Sequence, residues 1–141
     1  MDERTAILQD LRERVAASAF HAGIGLTVQD ADRGEVRLAF EATPAHLNLQ
    51  GLVHGGMLAT IADTAMGLAI RSALEPGRRH VTVELGIHYL RPARPGRLAA
   101  TGRVVRLGSQ VAFAEAEVFD HAKRLLARAS GTFSVTAARE P

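Results

Sequence analysis

The sequence predicts an α+β domain in which one long helix is wrapped by a curved antiparallel sheet. Residues 53–74 are too long and too rich in alanine for a strand, and they are apolar or small on nearly every side, so this helix must be covered all round. Four long alternating runs follow at 79–90, 96–107, 111–120 and 124–136, joined by short turns at Pro92 to Pro95, Gly108-Ser109 and His121-Ala122. Small residues share one face of each of the last two runs, Ala112, Ala114 and Ala116 in the first and Ala127, Ala129 and Gly131 in the second. Those faces let a helix approach the sheet closely.

The remaining elements fit around that core. Residues 3–19 carry Ile7, Leu11, Val15 and Ala19 at four-residue intervals among charges, which predicts an amphipathic helix lying on something larger. Alternating runs near 24–30 and 34–41, separated by Asp30-Ala31-Asp32-Arg33-Gly34, predict a hairpin. Pro44 to Gly51 reads as the loop leading into the central helix over 54–74. The four later strands are expected to pair in sequence as a meander, and the tail after Thr136 to fray. With no repeat, low-complexity tract or linker, 1–141 reads as a single domain.

Composition narrows the chemistry. The absence of cysteine removes a disulfide framework, a thiolate zinc site and a cysteine nucleophile. Of the six histidines, those at 21, 46, 80, 88 and 121 lack metal-ligand spacing, so no metal is expected. A pI near 9.9 suggests nucleic acid, but the net charge is only +2 and 16 of the 17 basic residues are arginine, whose very high pKa inflates the pI. No nucleic-acid partner is expected. The charge is uneven, with 5 basic and 9 acidic groups in residues 1–70 against 12 and 6 in 71–141, which suits a phosphate-bearing ligand as well as a solvated surface. The first twenty residues carry charges where a secretory leader has its apolar centre, and the long uncharged run from Gly51 to Ile70 is broken by Asp63. A cytoplasmic protein without a membrane span is therefore expected.

That broken run holds the strongest signal. Asn48, then His54-Gly55-Gly56, then Asp63 on the helix, followed by the stretch Val81 to Pro92 with Thr82 in it, resembles the active-site pattern of hotdog-fold acyl-CoA thioesterases of the phenylacetate-degradation (PaaI-like) type. The order of elements resembles that family over nearly the whole chain. The resemblance implies hydrolysis of an aryl-acyl or medium-chain acyl-coenzyme A, with coenzyme A as part of the substrate and no separate cofactor. It also implies a homodimer with shared sites, arranged as a dimer of dimers.

The residues support this reading on their own. Asp63 is the only formal charge between Gly51 and Ile70, and a carboxylate set among apolar helix residues needs either a compensating partner or a task. Gly55 and Gly56 fall where the helix begins, and its unpaired N–H groups and positive dipole end can hold an oxygen that becomes negative during attack. Two glycines can equally form a plain loop-to-helix turn. Eight residues separate Gly55 from Asp63, about 12 Å along one helix, so one thioester carbon cannot touch both. Antiparallel helices in a two-fold dimer would bring the glycine end of one copy to the Asp63 of the other. Pairing two copies of the 79–90 strand would also cover its exposed edge.

Asp63 would then act as general base or nucleophile, the partner's Gly55 and Gly56 amides forming the oxyanion hole. Asn48 either positions water or Asp63 or simply forms a turn, and Thr82 either donates to them or is an ordinary strand residue. His54 reads as a loop or capping residue. Arg91, Arg106 and Ser109 near strand ends are candidates for the coenzyme A phosphates or pantetheine arm, with solvent-facing roles equally open. Glu84 and His88 share a strand face with Thr82 by simple alternation, lining the cleft or facing solvent. An acyl-CoA sensor using the same pocket, or a hotdog hydratase or dehydratase, is the alternative reading.

Overall fold

The computed structural model describes residues 1–137; residues 138–141, and with them most of the tail expected to fray, lie outside the described residues. In chain order the elements are α1 (Glu3–Ala17), α2 (Ala19–Gly23), β1 (Leu26–Asp32), β2 (Glu35–Ala42), α3 (Gly55–Ala73), β3 (Arg79–Tyr89), β4 (Gly96–Leu107), β5 (Val111–Asp120) and β6 (Leu125–Thr136). The strands form one antiparallel sheet in the order β1-β2-β4-β5-β6-β3, wrapped around α3 in the hotdog arrangement.

α3 fits into the sheet because the sheet has almost nothing in the way. Ala112, Ala114, Ala116, Ala127 and Ala129 are all buried, and their methyl groups meet the helix face carrying Ile61, Ala62, Ala65, Met66 and Ala69. The closest approach is at Gly102 of β4, where an added Cβ would stand 2.2 Å from the carbonyl oxygen of Ala65. Phe40, Phe133, Leu38 and Leu98 fill the space on either side.

Pairing differs from the expected meander. β3 does not pair with β4 but lies at the far edge against β6, while β4 pairs with β2. The β3–β4 connection carries Pro92 and Pro95, which suit a crossing segment better than a tight hairpin. It passes beneath the start of α3, where Ala93 is buried and its carbonyl accepts the Val53 N–H at 2.8 Å. The first hairpin turns at Arg33-Gly34, later than its acidic residues suggested, with Gly34 at φ +79°.

The N-terminal helix ends at Ala17 and not at residue 19. Ser18 is extended and caps a new short helix, its side chain accepting the His21 N–H. Of the predicted apolar stripe, Leu11 and Val15 are buried against the core, Ile7 is half-buried and Ala19 is exposed. α1 packs along β1, and Arg12 donates from Nε to the carbonyl of Val28 and from Nη2 to that of Gln29. This guards one edge of the sheet. The other edge, β3, presents Val81 and Val83 at 63% and 66% exposure. Such an edge is a template for another strand.

Candidate active site

α3 presents one uncovered strip to solvent. Thr60, Asp63, Thr64 and Leu68 are half-buried along it, while the opposite side of the helix is in the core. β3 flanks this strip. Its Thr82 Oγ1 donates to Asp63 Oδ1 at 2.8 Å, and Oδ2 has no partner among the described residues. A carboxylate held by one oxygen and open at the other is oriented and still able to take a proton or attack carbon.

One turn further along the helix, the His80 ring lies over Gly67, where an added Cβ would be 3.2 Å from His80 Cε1, and tilts against Phe133. Burial holds this imidazole below its ordinary value of 6.5, with Arg71 and Arg14 acting in the same direction and Asp63 opposing them. The neutral ring is therefore the form that suits the native state. Because the unfolded chain takes up the proton more readily, stability is full above that ordinary value and declines as pH falls below it. Urea midpoints are expected to drop between about pH 7.5 and about pH 5.5, and His80→Gln is expected to reduce that drop.

The start of α3 is built by the loop before it. His54 is the N-cap, its Nδ1 accepting the Gly56 N–H at 2.8 Å. That commits the Gly56 amide within the chain, so the two glycines are not equivalent: the Gly55 N–H has no acceptor among the described residues. Tyr89, at the end of β3, donates its hydroxyl to the Gly55 carbonyl at 2.7 Å, and its ring is so close that a Cβ on Gly55 would lie 3.2 Å from Cζ. Asn48 forms a turn, its Oδ1 accepting from the N–H groups of Gln50 and Leu52. It does not touch Asp63. Asn48, Gly55, Tyr89 and Arg91 border a depression of about 250 Å³ at this end of the helix.

The candidate phosphate contacts are not brought together. Arg91 borders the depression and donates to the Leu125 carbonyl. Arg106 lies in register with Phe113 and Thr132 on the outer face of the sheet, turned there after an irregularity at Val105, and Ser109 sits near it with its carbonyl taking a bond from Arg78. Seven positions along β3 and the segment after it, roughly 20 Å, separate that row from Arg91. Alternation also fails for Glu84 and His88. A bulge at Val83 reverses the strand, so Thr82 faces α3 while Glu84 and His88 pair with Thr132 and Arg128 on the outer face. A broader concavity of about 910 Å³ crosses that outer face, where Arg103–Glu115 and Arg128–Glu117 form ion pairs, and it lies on the side away from Asp63.

Sequence reasoning missed Tyr89 because, read across an undetected bulge, simple alternation puts it on the face opposite Thr82. It also missed a polar chain on the other side of the strip: Ser18 Oγ meets His21 Nδ1 at 2.7 Å, and His21 Nε2 meets Thr64 Oγ1 at 3.3 Å. The local spacing of Ser18 and His21 was the available signal, but its partner on α3 was not. Among the described residues no group of three His, Asp or Glu side chains is placed to hold a metal ion, and no helix is long and apolar enough to cross a membrane.

A long helix in a six-stranded antiparallel wrap is the fold of the hotdog thioester hydrolases, and the similarities of sequence and structure place this chain in that class. The chain belongs to the Thioesterase superfamily, whose sequence model matches residues 50–127. A protein of Halobacterium salinarum that carries only a provisional esterase name is 43% identical over 122 residues, 83% of this chain and 78% of its own. The medium/long-chain acyl-CoA thioesterase YigI of Escherichia coli is 28% identical over 82% of this chain and 84% of its own. Among solved structures, the E. coli PaaI protein from the phenylacetic acid degradation operon superposes with a TM-score of 0.89 at 25% identity, covering 97% of this chain and 98% of that one.

Proposed function

We propose that this protein hydrolyses an acyl-coenzyme A thioester at two equivalent sites in a homodimer, each site joining Asp63 of one copy to Gly55 of the partner subunit. The observation that carries the proposal is the division of labour along α3. Asp63 is oriented with one oxygen open, the Gly55 N–H is uncommitted, and about 12 Å of helix separates them. The free edge of β3 supplies the surface through which two copies meet, since Arg12 and α1 already occupy the edge of β1. Two such dimers would associate further as a dimer of dimers, and the enzyme would act in the cytoplasm.

In the reaction, Asp63 Oδ2 takes a proton from water as the water oxygen attacks the thioester carbonyl carbon. The carbonyl oxygen becomes an oxyanion held by the Gly55 amide of the partner subunit, at a helix end whose dipole favours negative charge. The tetrahedral intermediate then expels the coenzyme A thiolate, which receives the proton from Asp63. In the alternative route Oδ2 attacks the carbonyl carbon and expels the coenzyme A thiolate. Water then hydrolyses the acyl-aspartyl anhydride to the free acid and Asp63, the released proton going to the thiolate. This route uses the same oxygen and the same amide. The donor pair narrows to Gly55, because His54 holds the Gly56 N–H. Asn48 and Arg91, at the rim of the same depression, are placed to meet the substrate beyond its thioester. Coenzyme A enters as substrate and no separate cofactor takes part.

Thr82 orients the base, so removing its hydroxyl should act on turnover more than on affinity. Thr82→Val is expected to lower kcat about tenfold with little change in KM, and Thr82→Ser to keep most of the activity. Equal activity in Thr82→Val and the parent enzyme, measured by thiol release, would remove Thr82 from the site.

A further inference from the structure

On the side opposite β3 the open strip is met by α2, through the His21–Thr64 bond, and one α2 residue is left largely in water. Phe20 is 58% exposed, a large aromatic side chain left in water. The helix that carries it is nonetheless held in place. A five-residue helix has no stability of its own, yet α2 is capped by Ser18 at its start and tied to α3 by the Ser18–His21–Thr64 chain. Both nitrogens of the His21 ring are engaged, and the Phe20 ring meets it edge-on with centroids 5.2 Å apart. Thr64 directly follows Asp63 in the chain. An exposed aromatic ring thus sits next to the His21 that joins α2 to the strip carrying the reacting carboxylate.

The strip itself offers little for an apolar group to bind. Thr60, Asp63 and Thr64 are polar, Gly67 lies beneath His80, and the one apolar side chain of the strip is Leu68, a turn beyond Thr64. An acyl chain extending from the thioester carbon along this strip would find its apolar surface on the α2 side. We propose that Phe20 is a specificity-determining residue, its ring forming an apolar wall against which the acyl chain packs, and that the Thr64–His21 link positions that wall. The inference rests on acyl-CoA hydrolysis at Asp63 and names the part of the substrate that Phe20 reads. Because Phe20 makes an exposed contact and not a core one, its loss should leave the fold intact.

The test is the ratio of kcat/KM for octanoyl-CoA to that for acetyl-CoA, measured for the full chain and its Phe20→Ala and Phe20→Leu variants, with thermal unfolding of each recorded. Phe20→Ala is expected to lower the ratio about tenfold, and Phe20→Leu to restore most of it. Thr64→Val, which keeps the Phe20 side chain but cuts the link that positions α2, is expected to lower the ratio in the same direction. An unchanged ratio in Phe20→Ala, with an unchanged melting temperature, would overturn the assignment of Phe20 while leaving hydrolysis standing. A parent enzyme that releases no thiol from any acyl-CoA would instead overturn the activity on which the inference rests.

Discussion

Replacing Asp63 by alanine is expected to lower kcat for acyl-CoA hydrolysis by about 100-fold or more. The size of the effect follows from what the side chain does, since the route through water and the route through an acyl-aspartate both need its open oxygen. Asp63→Asn makes the sharper comparison. The amide keeps the shape and can still accept from Thr82 Oγ1, the bond that fixes the carboxylate at 2.8 Å, but it is neither a base nor a competent nucleophile. Asn and Ala variants of similar low activity, both folded, would assign the loss to chemistry. An Asn variant as active as the parent would reduce Asp63 to a polar contact.

The second large effect concerns the fold. Gly102→Ala places a methyl group 2.2 Å from the carbonyl oxygen of Ala65 and 2.4 Å from its carbon. Neither neighbour can rotate away. The oxygen belongs to the backbone of α3, and Gly102 sits on β4 between β2 and β5, so the clash is relieved only by moving a helix or a central strand. A destabilisation of about 3 kcal/mol or more is expected, a fall in Tm of roughly 10 °C. Gly131→Ala is the control, because the atoms its methyl group meets are side-chain atoms of Met66 and Phe133, at 2.9 to 3.1 Å. A flexible thioether can yield where a helix backbone cannot. A smaller loss at Gly131 than at Gly102, by thermal unfolding, would support this account of how the sheet closes on α3. A Gly102→Ala protein as stable as the parent would contradict it.

What could be read in advance divides along local and non-local lines. The central helix was legible because its alanine-rich, apolar surface had no open face to offer, and Asp63 because it was the only charge there. The small residues of β5 and β6 were legible as a bed for that helix. The order of strands was not, since β3 reaches β6 through contacts between residues some fifty positions apart, which no local pattern records. The bulge at Val83 is likewise invisible to a two-residue period. It sends Glu84 and His88 to the outer face and brings Tyr89 onto the Gly55 carbonyl. The two glycines looked alike in sequence, and only the His54 side chain distinguishes their amides.

A mixed-subunit experiment tests the shared site most directly. Gly55→Pro removes one N–H at the first helical position, where the preceding His54 at φ −60° and ψ 134° already has the backbone a following proline requires. Because the Tyr89 ring stands 3.2 Å from a Cβ at Gly55, Gly55→Ala, which meets the same ring and keeps the N–H, is the control expected to stay active. Asp63→Ala and Gly55→Pro homodimers should each be nearly inactive. Co-expressed in equal amounts, they should recover about a quarter of the parent activity, because each mixed dimer joins one intact Asp63 to one intact Gly55. No recovery, in a sample shown to contain mixed dimers, would place both groups of each site in a single chain and contradict the account.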